Sequence, residues 1–313
     1  MKYFLLICLS YFYVQANSHI FVYHRFGDEK HHSTNTTLKE LEKEFEYFKS
    51  NNYKVVTVSQ ISEKLKNGEE IPDNWIAFSI DDAYKSFYTN AIEIFKKYNY
   101  PFSLYVYVEA TEKKYPDFMT WEEIKDASKY GEISLHSYGH KHLTKLSDDK
   151  IFEDTKKAYD IFVEKLGFKP KGYTYPYGEY DQRVKEVVKR FNFEYIANQN
   201  NGSVNNKSDI YDLNRIALVG DVNLEEKLEY NTLEATWIEP KVYPKDGRLK
   251  HVKVQVDPGI KNAKLFISSY GWQDIKVKNG IIDIKLDKKL NLNRNRVAIS
   301  TDYYTISNKL LIK

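Results

Sequence analysis

Up to about residue 220, short apolar segments alternate with longer segments in which apolar residues recur every three or four positions. The short segments predict β-strands and the longer ones predict amphipathic helices. The predicted strands are 20–23, 55–58, 75–80, 102–108, 132–135, 172–175, 195–197 and 215–219. The clearest predicted helices are one that opens at the capping box Thr37-Leu-Lys-Glu40, 121–129, 148–166 and 182–190. This alternation predicts an α/β fold with parallel strands, such as a (β/α) barrel.

The pattern changes near residue 240. Val252, Val254 and Val256 alternate with polar residues, and Asn279-Gly280 separates two apolar segments, which is typical of a hairpin turn. We therefore predict a barrel over residues 17–239 and a small all-β, sandwich-like domain over residues 240–313. Four aromatic residues of this domain could stack on sugar rings, although packing is the commoner role of such residues. They are Tyr270, Trp272, Tyr303 and Tyr304.

Residues with chemical potential follow several of the predicted strands. His24 follows the first strand, Asp81-Asp82 follows 75–80, His136 follows 132–135, and Pro176-Tyr177-Gly178 follows 172–175. In a (β/α) barrel the active site forms at the carboxyl ends of the strands. These residues are therefore expected to share one rim, whereas His19 precedes the first strand and is expected at the opposite end.

The segment His136-Ser-Tyr-Gly-His140 places two imidazoles four residues apart. Two neutral imidazoles and one carboxylate are a common ligand set for a hydrolytic zinc site, and the second carboxylate of Asp81-Asp82 is then free to act as a base. Each motif is weak alone, because histidine pairs often lie on solvated helix faces and aspartates often cap helices. Together they predict a metal-assisted hydrolase. His142 is an alternative ligand, and His31-His32 is expected to be solvated.

The composition limits the compartment and the partners. The chain has 313 residues, 42% of them hydrophobic, and a net charge of +3, which argues against disorder and gives no reason to expect a nucleic-acid partner. The positive Lys2 and the apolar run that follows it predict a signal peptide over residues 1–16. An uncleaved membrane anchor is the alternative. The single cysteine, Cys8, lies in this segment. We therefore expect an exported protein, periplasmic or extracellular, with no cysteine and no transmembrane span after cleavage, and with metal ligands drawn from histidine and carboxylate.

The motifs resemble those of the polysaccharide deacetylases of the NodB-homology group, carbohydrate esterase family 4. The segment 78–84, Phe-Ser-Ile-Asp-Asp-Ala-Tyr, resembles the first motif of the family, 136–140 resembles the second, and 175–178, Tyr-Pro-Tyr-Gly, resembles the third. The resemblance covers roughly residues 19–220. The family usually has a late catalytic histidine, which the barrel region lacks, since His251 lies in the β domain. His24 instead resembles the histidine of the permuted branch that includes the biofilm poly-N-acetylglucosamine deacetylases.

The resemblance implies a distorted (β/α) barrel and a set of residue roles. Asp82, His136 and His140 would hold a divalent metal, for which zinc is expected and which cobalt, nickel or iron could replace. Asp81 would act as the general base and His24 as the general acid. Pro176, Tyr177 and Gly178 would bind substrate, with the backbone N–H of Tyr177 on the carbonyl oxygen.

The sequence departs from the family pattern at two positions. Ala83 replaces a glycine, which would crowd the metal loop. Thr174 stands where many members have an arginine that orients the catalytic aspartate. Arg215, in the last predicted strand, is proposed to take over that role near the substrate, with an ordinary surface ion pair as the alternative.

The resemblance implies removal of N-acetyl groups from an extracytoplasmic polysaccharide, such as poly-N-acetylglucosamine or peptidoglycan. The residues do not distinguish this activity from O-acetyl ester hydrolysis. A non-catalytic glycan-binding envelope protein, or a partner in a polysaccharide-export complex, is an alternative of a different class.

Overall fold

The computed structural model describes residues 17–313. The predicted signal peptide, with Cys8, lies outside the described residues. Among the described residues, no helix combines the length and the apolar character needed to cross a membrane.

The first region, up to residue 229, alternates short strands and helices. Its strands are β1 (His19–Tyr23), β2 (Arg25–Phe26), β3 (Asn35–Thr36), β4 (Lys54–Val56), β5 (Trp75–Ile80), β6 (Ser103–Val106), β7 (Glu132–Leu135), β8 (Gly172–Thr174), β9 (Tyr195–Ala197) and β10 (Ile216–Ala217). Its α-helices are α1 (Leu38–Ser50), α2 (Val58–Lys66), α3 (Ile92–Tyr98), α4 (Val108–Glu112), α5 (Trp121–Ala127), α6 (Asp148–Leu166), α7 (Gln182–Lys189) and α8 (Leu224–Glu229). This alternation agrees with the predicted α/β class.

The main sheet is parallel and closes into a distorted barrel. Its order is β10-β1-β5-β6-β7-β8-β9, with β4 also paired to β5. Leu213 bridges Ala197 at one edge of the sheet, and Ile216 pairs with Phe21 at the other. The short segment between them therefore joins the two edges. Because the strands are parallel, their carboxyl ends meet at one rim, and the predicted barrel is confirmed.

Two predicted strands extend into the helix that follows them. The strand predicted at 55–58 ends at Val56, because Thr57 caps the N-terminus of α2 and forms a capping box with Gln60. The strand predicted at 102–108 covers only Ser103–Val106, and Val108 begins the short helix α4. Both errors come from valine-rich segments in which the strand and the next helix share one apolar run.

The core of the barrel has two parts, one on each side of the sheet. A cluster rich in aromatic residues, including Phe45, Phe78 and Phe95, packs between the sheet and its helices. Inside the barrel, the hydroxyl groups of Tyr105 and Tyr195 form a hydrogen bond of 2.8 Å. These large buried side chains fill the interior, so the barrel is packed.

Glu44 is a buried carboxyl group on α1 that accepts a hydrogen bond from the Tyr23 hydroxyl at 2.5 Å. Burial raises the pKa of Glu44 from 4.5 to about 8. Between these pH values the unfolded state loses the proton and the folded state keeps it, so this group lowers stability as pH rises. The Glu44→Gln variant lacks this group. We therefore expect the unfolding free energy of the variant minus that of wild type to increase by up to about 1.4 kcal/mol for each pH unit in that interval.

Denaturant unfolding at several pH values measures this effect. The matched control is Glu46→Gln, because exposed Glu46 also accepts a tyrosine hydroxyl, that of Tyr98, at 2.5 Å on the same helix. A pH dependence equal in wild type and Glu44→Gln would contradict the raised pKa.

The C-terminal region consists of β-strands. They are β11 (Asn231–Thr232), β12 (Thr236–Glu239), β13 (Arg248–Gln255), β14 (Asn262–Ile267), β15 (Gly271–Lys276), β16 (Ile281–Lys289), β17 (Arg294–Ser300) and β18 (Thr305–Ile312). A five-stranded sheet, β11-β18-β17-β14-β15, and a three-stranded sheet, β12-β13-β16, enclose a separate apolar core. This is the predicted sandwich-like, all-β arrangement. Two of its strands, β11 and β12, precede residue 240, where the sequence analysis placed the start of this domain.

The Asn279-Gly280 turn differs from the expected hairpin. Both residues have positive φ, 50° and 74°, and Lys278 pairs with Ile281 across them. However, β15 belongs to the five-stranded sheet and β16 to the three-stranded sheet. The dipeptide therefore makes a tight turn between two sheets, because the strands diverge after one pair of residues.

Candidate active site

Asp82, His136 and His140 meet at the carboxyl rim of the barrel. Nε2 of His140 lies 3.2 Å from Oδ1 of Asp82, and Nε2 of His136 lies 3.5 Å from the same oxygen. One ligand atom from each residue falls within 4.8 Å of the others. Asp82 follows β5 and His136 follows β7, so the strand order brings together residues that are far apart in the chain.

The surroundings of His136 favour a neutral ring with Nε2 free. Nδ1 lies 2.9 Å from the carbonyl oxygen of Thr174 and 2.7 Å from its hydroxyl group. Because a carbonyl only accepts, we assign the proton to Nδ1, which leaves the lone pair of Nε2 directed to the site. Burial lowers the pKa of His136 to about 4, so the ring is neutral near pH 7.

A tight turn carries His140 back towards His136. Ser137 and His140 have positive φ, 67° and 45°, and the Ser137 hydroxyl accepts the backbone N–H of His140 at 3.0 Å. The carboxylate of Asp154 on α6 accepts the N–H groups of Tyr138 and Gly139 at 2.9 and 3.0 Å. Asp154 therefore holds the loop, a contribution that the sequence analysis missed because it lies inside a predicted helix.

The three ligand side chains fit a divalent metal. Oδ1 of Asp82 is buried and has no hydrogen-bond partner among the described residues, although two imidazole nitrogens face it. An orphaned carboxylate oxygen in a buried site is costly unless a cation balances it. Two imidazoles and one carboxylate are also the donor set that zinc and related ions accept. Positive φ at Asp82 and Ala83, 72° and 56°, turns the chain at this point, so the alanine is accommodated in a left-handed conformation.

Asp81, the second carboxylate, is held by Arg215 inside the barrel. Nη1 and Nη2 of Arg215 donate to its two oxygens at 2.7 and 2.8 Å, and both side chains have zero exposure. The alternative of a surface ion pair for Arg215 is therefore wrong. Burial would raise the pKa of Asp81, but the charge of Arg215 and its hydrogen bonds hold that pKa well below its usual range.

Gln199 is a further contact of Asp81 that the sequence analysis missed. It donates from Nε2 to Oδ2 of Asp81 at 3.2 Å. Gln199 follows β9, so its position at a strand end was the signal that could have identified it. A Cβ at Gly178, which has φ of +64°, would lie 2.8 Å from Cβ of Gln199. Glycine at 178 therefore lets the 176–178 loop approach the Asp81 side of the site.

His24 follows β1 at the same rim. Its Nδ1 is buried without a hydrogen-bond partner among residues 17–313. The charge of a protonated His24 lowers the pKa of both Asp81 and Asp82, after the larger effects of burial and of nearer groups. His24 therefore lies within electrostatic reach of both carboxylates and keeps one nitrogen free.

The segment Pro176–Gly178 forms one side of the site. The ring of Tyr177 is 38% exposed, contacts the ring of His140 at 4.4 Å and stacks on His142 at 4.4 Å. His142 does not join the ligand set, because its Nδ1 lies 2.6 Å from the buried carboxylate of Glu179. This contact directs His142 towards the loop that carries Tyr177.

The other histidines lie away from the site. His19, at the amino end of β1, places Nε2 3.1 Å from the carbonyl of Tyr230. His31 and His32 are exposed, and His251 contacts Asp283 at 2.8 Å on the surface of the C-terminal region.

The comparisons with known proteins agree with this geometry. A family model described as polysaccharide deacetylase matches residues 68–196. This chain contains a polysaccharide deacetylase domain. The matched segment includes Asp81, Asp82, His136, His140 and the 176–178 loop, whereas His24 and Arg215 lie outside it.

Several curated relatives of the deacetylase domain carry an N-deacetylase name. The poly-beta-1,6-N-acetyl-D-glucosamine N-deacetylase of Escherichia coli (strain K12) is 22% identical, over 64% of this chain and 36% of that protein. The Staphylococcus aureus (strain MRSA252) protein of the same name is also 22% identical, over 64% of this chain and 73% of that protein. The alignment with the Escherichia coli protein thus spans little more than a third of its length.

Solved structures share the fold of the deacetylase domain. The Streptococcus pyogenes deacetylase PplD in complex with acetate has a TM-score of 0.61 at 20% identity and covers 66% of this chain and 93% of that one. IcaB from Ammonifex degensii has a TM-score of 0.58 at 21% identity and covers 65% of this chain and 92% of that one. Both matches cover about two thirds of this chain.

Arg294, from β17 of the C-terminal region, supports the loop of the deacetylase domain. It donates to the carbonyl oxygen of Tyr177 at 3.0 Å and lies 3.1 Å from the carboxylate of Glu179. For Arg294→Ala we expect a roughly fivefold rise in KM with a smaller change in kcat, because a charged hydrogen bond that orients the loop is lost.

Steady-state kinetics of acetate release from an acetylated polysaccharide measures this effect. The matched control is Arg248→Ala, which removes an exposed arginine of the same region that pairs with Asp287 at 2.6 Å. Equal KM values for wild type and Arg294→Ala would show that the loop does not depend on Arg294.

Proposed function

We propose that the chain is a metal-dependent N-deacetylase of an extracytoplasmic polysaccharide of the N-acetylglucosamine type. The observation that carries this proposal is the pair of adjacent carboxylates in different environments. Asp82 faces two imidazoles with a free oxygen, and Asp81 is held by Arg215. One carboxylate is thereby suited to bind a metal and the other to accept a proton. The names of the curated relatives support the choice of substrate.

Asp82, His136 and His140 would hold the divalent metal, with zinc as the expected ion, and the metal would supply Lewis-acid activation of water and of the acetyl carbonyl. Asp81 remains ionised at neutral pH and takes the proton of the attacking water. Arg215 fixes the direction of that carboxylate. The oxygen of the water forms the new bond to the acetyl carbon.

Two further groups complete the reaction. The backbone N–H of Tyr177, on the 176–178 loop, stabilises the negative charge that develops on the carbonyl oxygen. His24 donates a proton to the leaving nitrogen as the carbon–nitrogen bond breaks. The products are acetic acid, which ionises to acetate, and a free amine on the sugar. Asp81 returns its proton to solvent, and His24 takes one up from solvent.

Export fits this function, because acetylated envelope polysaccharides lie outside the cytoplasm, and partners among polysaccharide-export proteins would place the enzyme near its substrate. Pull-down of the tagged protein from envelope fractions tests for those partners.

The test of the activity is acetate release by the purified protein after chelation and after zinc is added back. The substrates are N-acetylglucosamine oligomers, peptidoglycan and a simple acetyl ester. We expect zinc-dependent release from an N-acetylated glycan. Release from the ester alone would show an O-acetyl esterase and contradict the proposal. If the metal-loaded protein releases acetate from none of the substrates, a non-catalytic glycan-binding role is favoured.

A further inference from the structure

The outer face of the five-stranded sheet borders a cavity of about 610 Å³. Strands β14, β15, β17 and β18 contribute its floor, and Asn201 of the deacetylase domain lies at its edge. The side chains that carry the argument are Phe266, Trp272, Arg296, Tyr303 and Asn308. The proposed reaction does not use any of them.

Two aromatic side chains of this cavity, Trp272 and Tyr303, are exposed. Trp272 is 47% exposed and Tyr303 is 77% exposed. Phe266 supports Trp272 from the neighbouring strand, with ring centroids 5.2 Å apart. The C–H face of a pyranose ring is apolar and packs on such an exposed aromatic face, while its hydroxyl groups remain in water.

The cavity also contains an unpaired donor and an unpaired acceptor. The half-buried guanidinium of Arg296 has no side-chain hydrogen bond or ion pair among residues 17–313, and burial followed by the charge of Arg294 lowers its pKa. Oδ1 of Asn308 is buried without a partner, while Nδ2 of Asn308 donates to the carbonyl of Asn201 at 3.4 Å. Polar groups left unpaired in this way favour a ligand that offers both donors and acceptors. Sugar hydroxyl and acetamide groups offer both.

Two segments connect the cavity lining with the deacetylase site. Arg294 and Arg296 lie on the same face of β17, about 7 Å apart along the strand, and Arg294 donates to the Tyr177 carbonyl. On the other side, Asn201 is two residues beyond Gln199, which contacts Asp81. The cavity is therefore lined by residues close in the chain to two residues that contact the site.

We propose that this cavity binds additional N-acetylated sugar units of the same polysaccharide whose acetyl group is removed at the rim. This inference rests on the proposed function for the identity of the glycan. The C-terminal region thereby increases the affinity of the protein for long polysaccharide chains and leaves the reaction on short chains unchanged.

The experiment compares Trp272→Ala and Arg296→Gln in the full chain with wild type. Binding of polymeric N-acetylglucosamine is measured by affinity electrophoresis, and acetate release is measured on the polymer and on the trimer. Tyr270→Ala is the matched control, since this aromatic residue is 43% exposed on the same region and does not line the cavity. Thermal unfolding verifies that every variant is folded.

We expect each cavity variant to weaken polymer binding by about tenfold, with the rate on the trimer and the behaviour of Tyr270→Ala unchanged. Polymer binding equal to wild type in both folded variants would overturn the proposal. An equal loss of acetate release on the polymer and on the trimer would also overturn the proposal, because the residues would then act through the active site. Polymer binding that depends on Trp272, without acetate release from any glycan, would support the cavity while refuting the deacetylase function.

Discussion

We expect Asp81→Asn to lower kcat for acetate release by about 10²–10⁴-fold while the protein still binds one zinc ion. The variant removes the proton acceptor, whereas Asp82, His136 and His140 remain in place. Metal content after dialysis and acetate release under saturating substrate measure the two properties separately. Because Asp81 is buried with Arg215, the variant is also expected to unfold at a lower temperature.

His136→Ala is the matched comparison, since it removes a ligand and should lose both zinc and activity. Activity of Asp81→Asn close to that of wild type would show that another group accepts the proton. Loss of zinc from Asp81→Asn would show that Asp81, and not only Asp82, is a ligand.

Arg215→Met is expected to destabilise the protein by roughly 3–5 kcal/mol, because it leaves the charge of Asp81 buried without its partner. It should also lower activity, since the direction of the Asp81 carboxylate depends on the two hydrogen bonds from Arg215. Denaturant unfolding and acetate release measure the two effects.

The double variant Asp81→Asn with Arg215→Met separates them. It removes both buried charges, so we expect stability to recover by a large part of the loss while activity stays absent. If the double variant is as unstable as the two single losses added together, the buried pair does not account for the stability of this site.

Much of the fold follows from local patterns. The alternation of strands and helices depends on the periods of apolar residues, and Thr37 and Gly167 mark helix ends that the structure shows. The errors at 55–58 and at Asn279-Gly280 have a common cause. In both, a local pattern describes the turn or the apolar run correctly but does not say to which element or sheet the next residues belong.

The sequence alone determined the alternating strands and helices, the all-β C-terminal region and the spacing of His136 and His140, since each depends on neighbours within a few positions. The tertiary structure decided which distant groups meet. Arg215 reaches Asp81 across 134 positions, and Arg294 reaches Tyr177 across 117. Thr174, which replaces the expected arginine, instead accepts a hydrogen bond from His136. Such partners depend on strand order and on the packing of two regions, and residues so far apart leave no periodic signal in the chain.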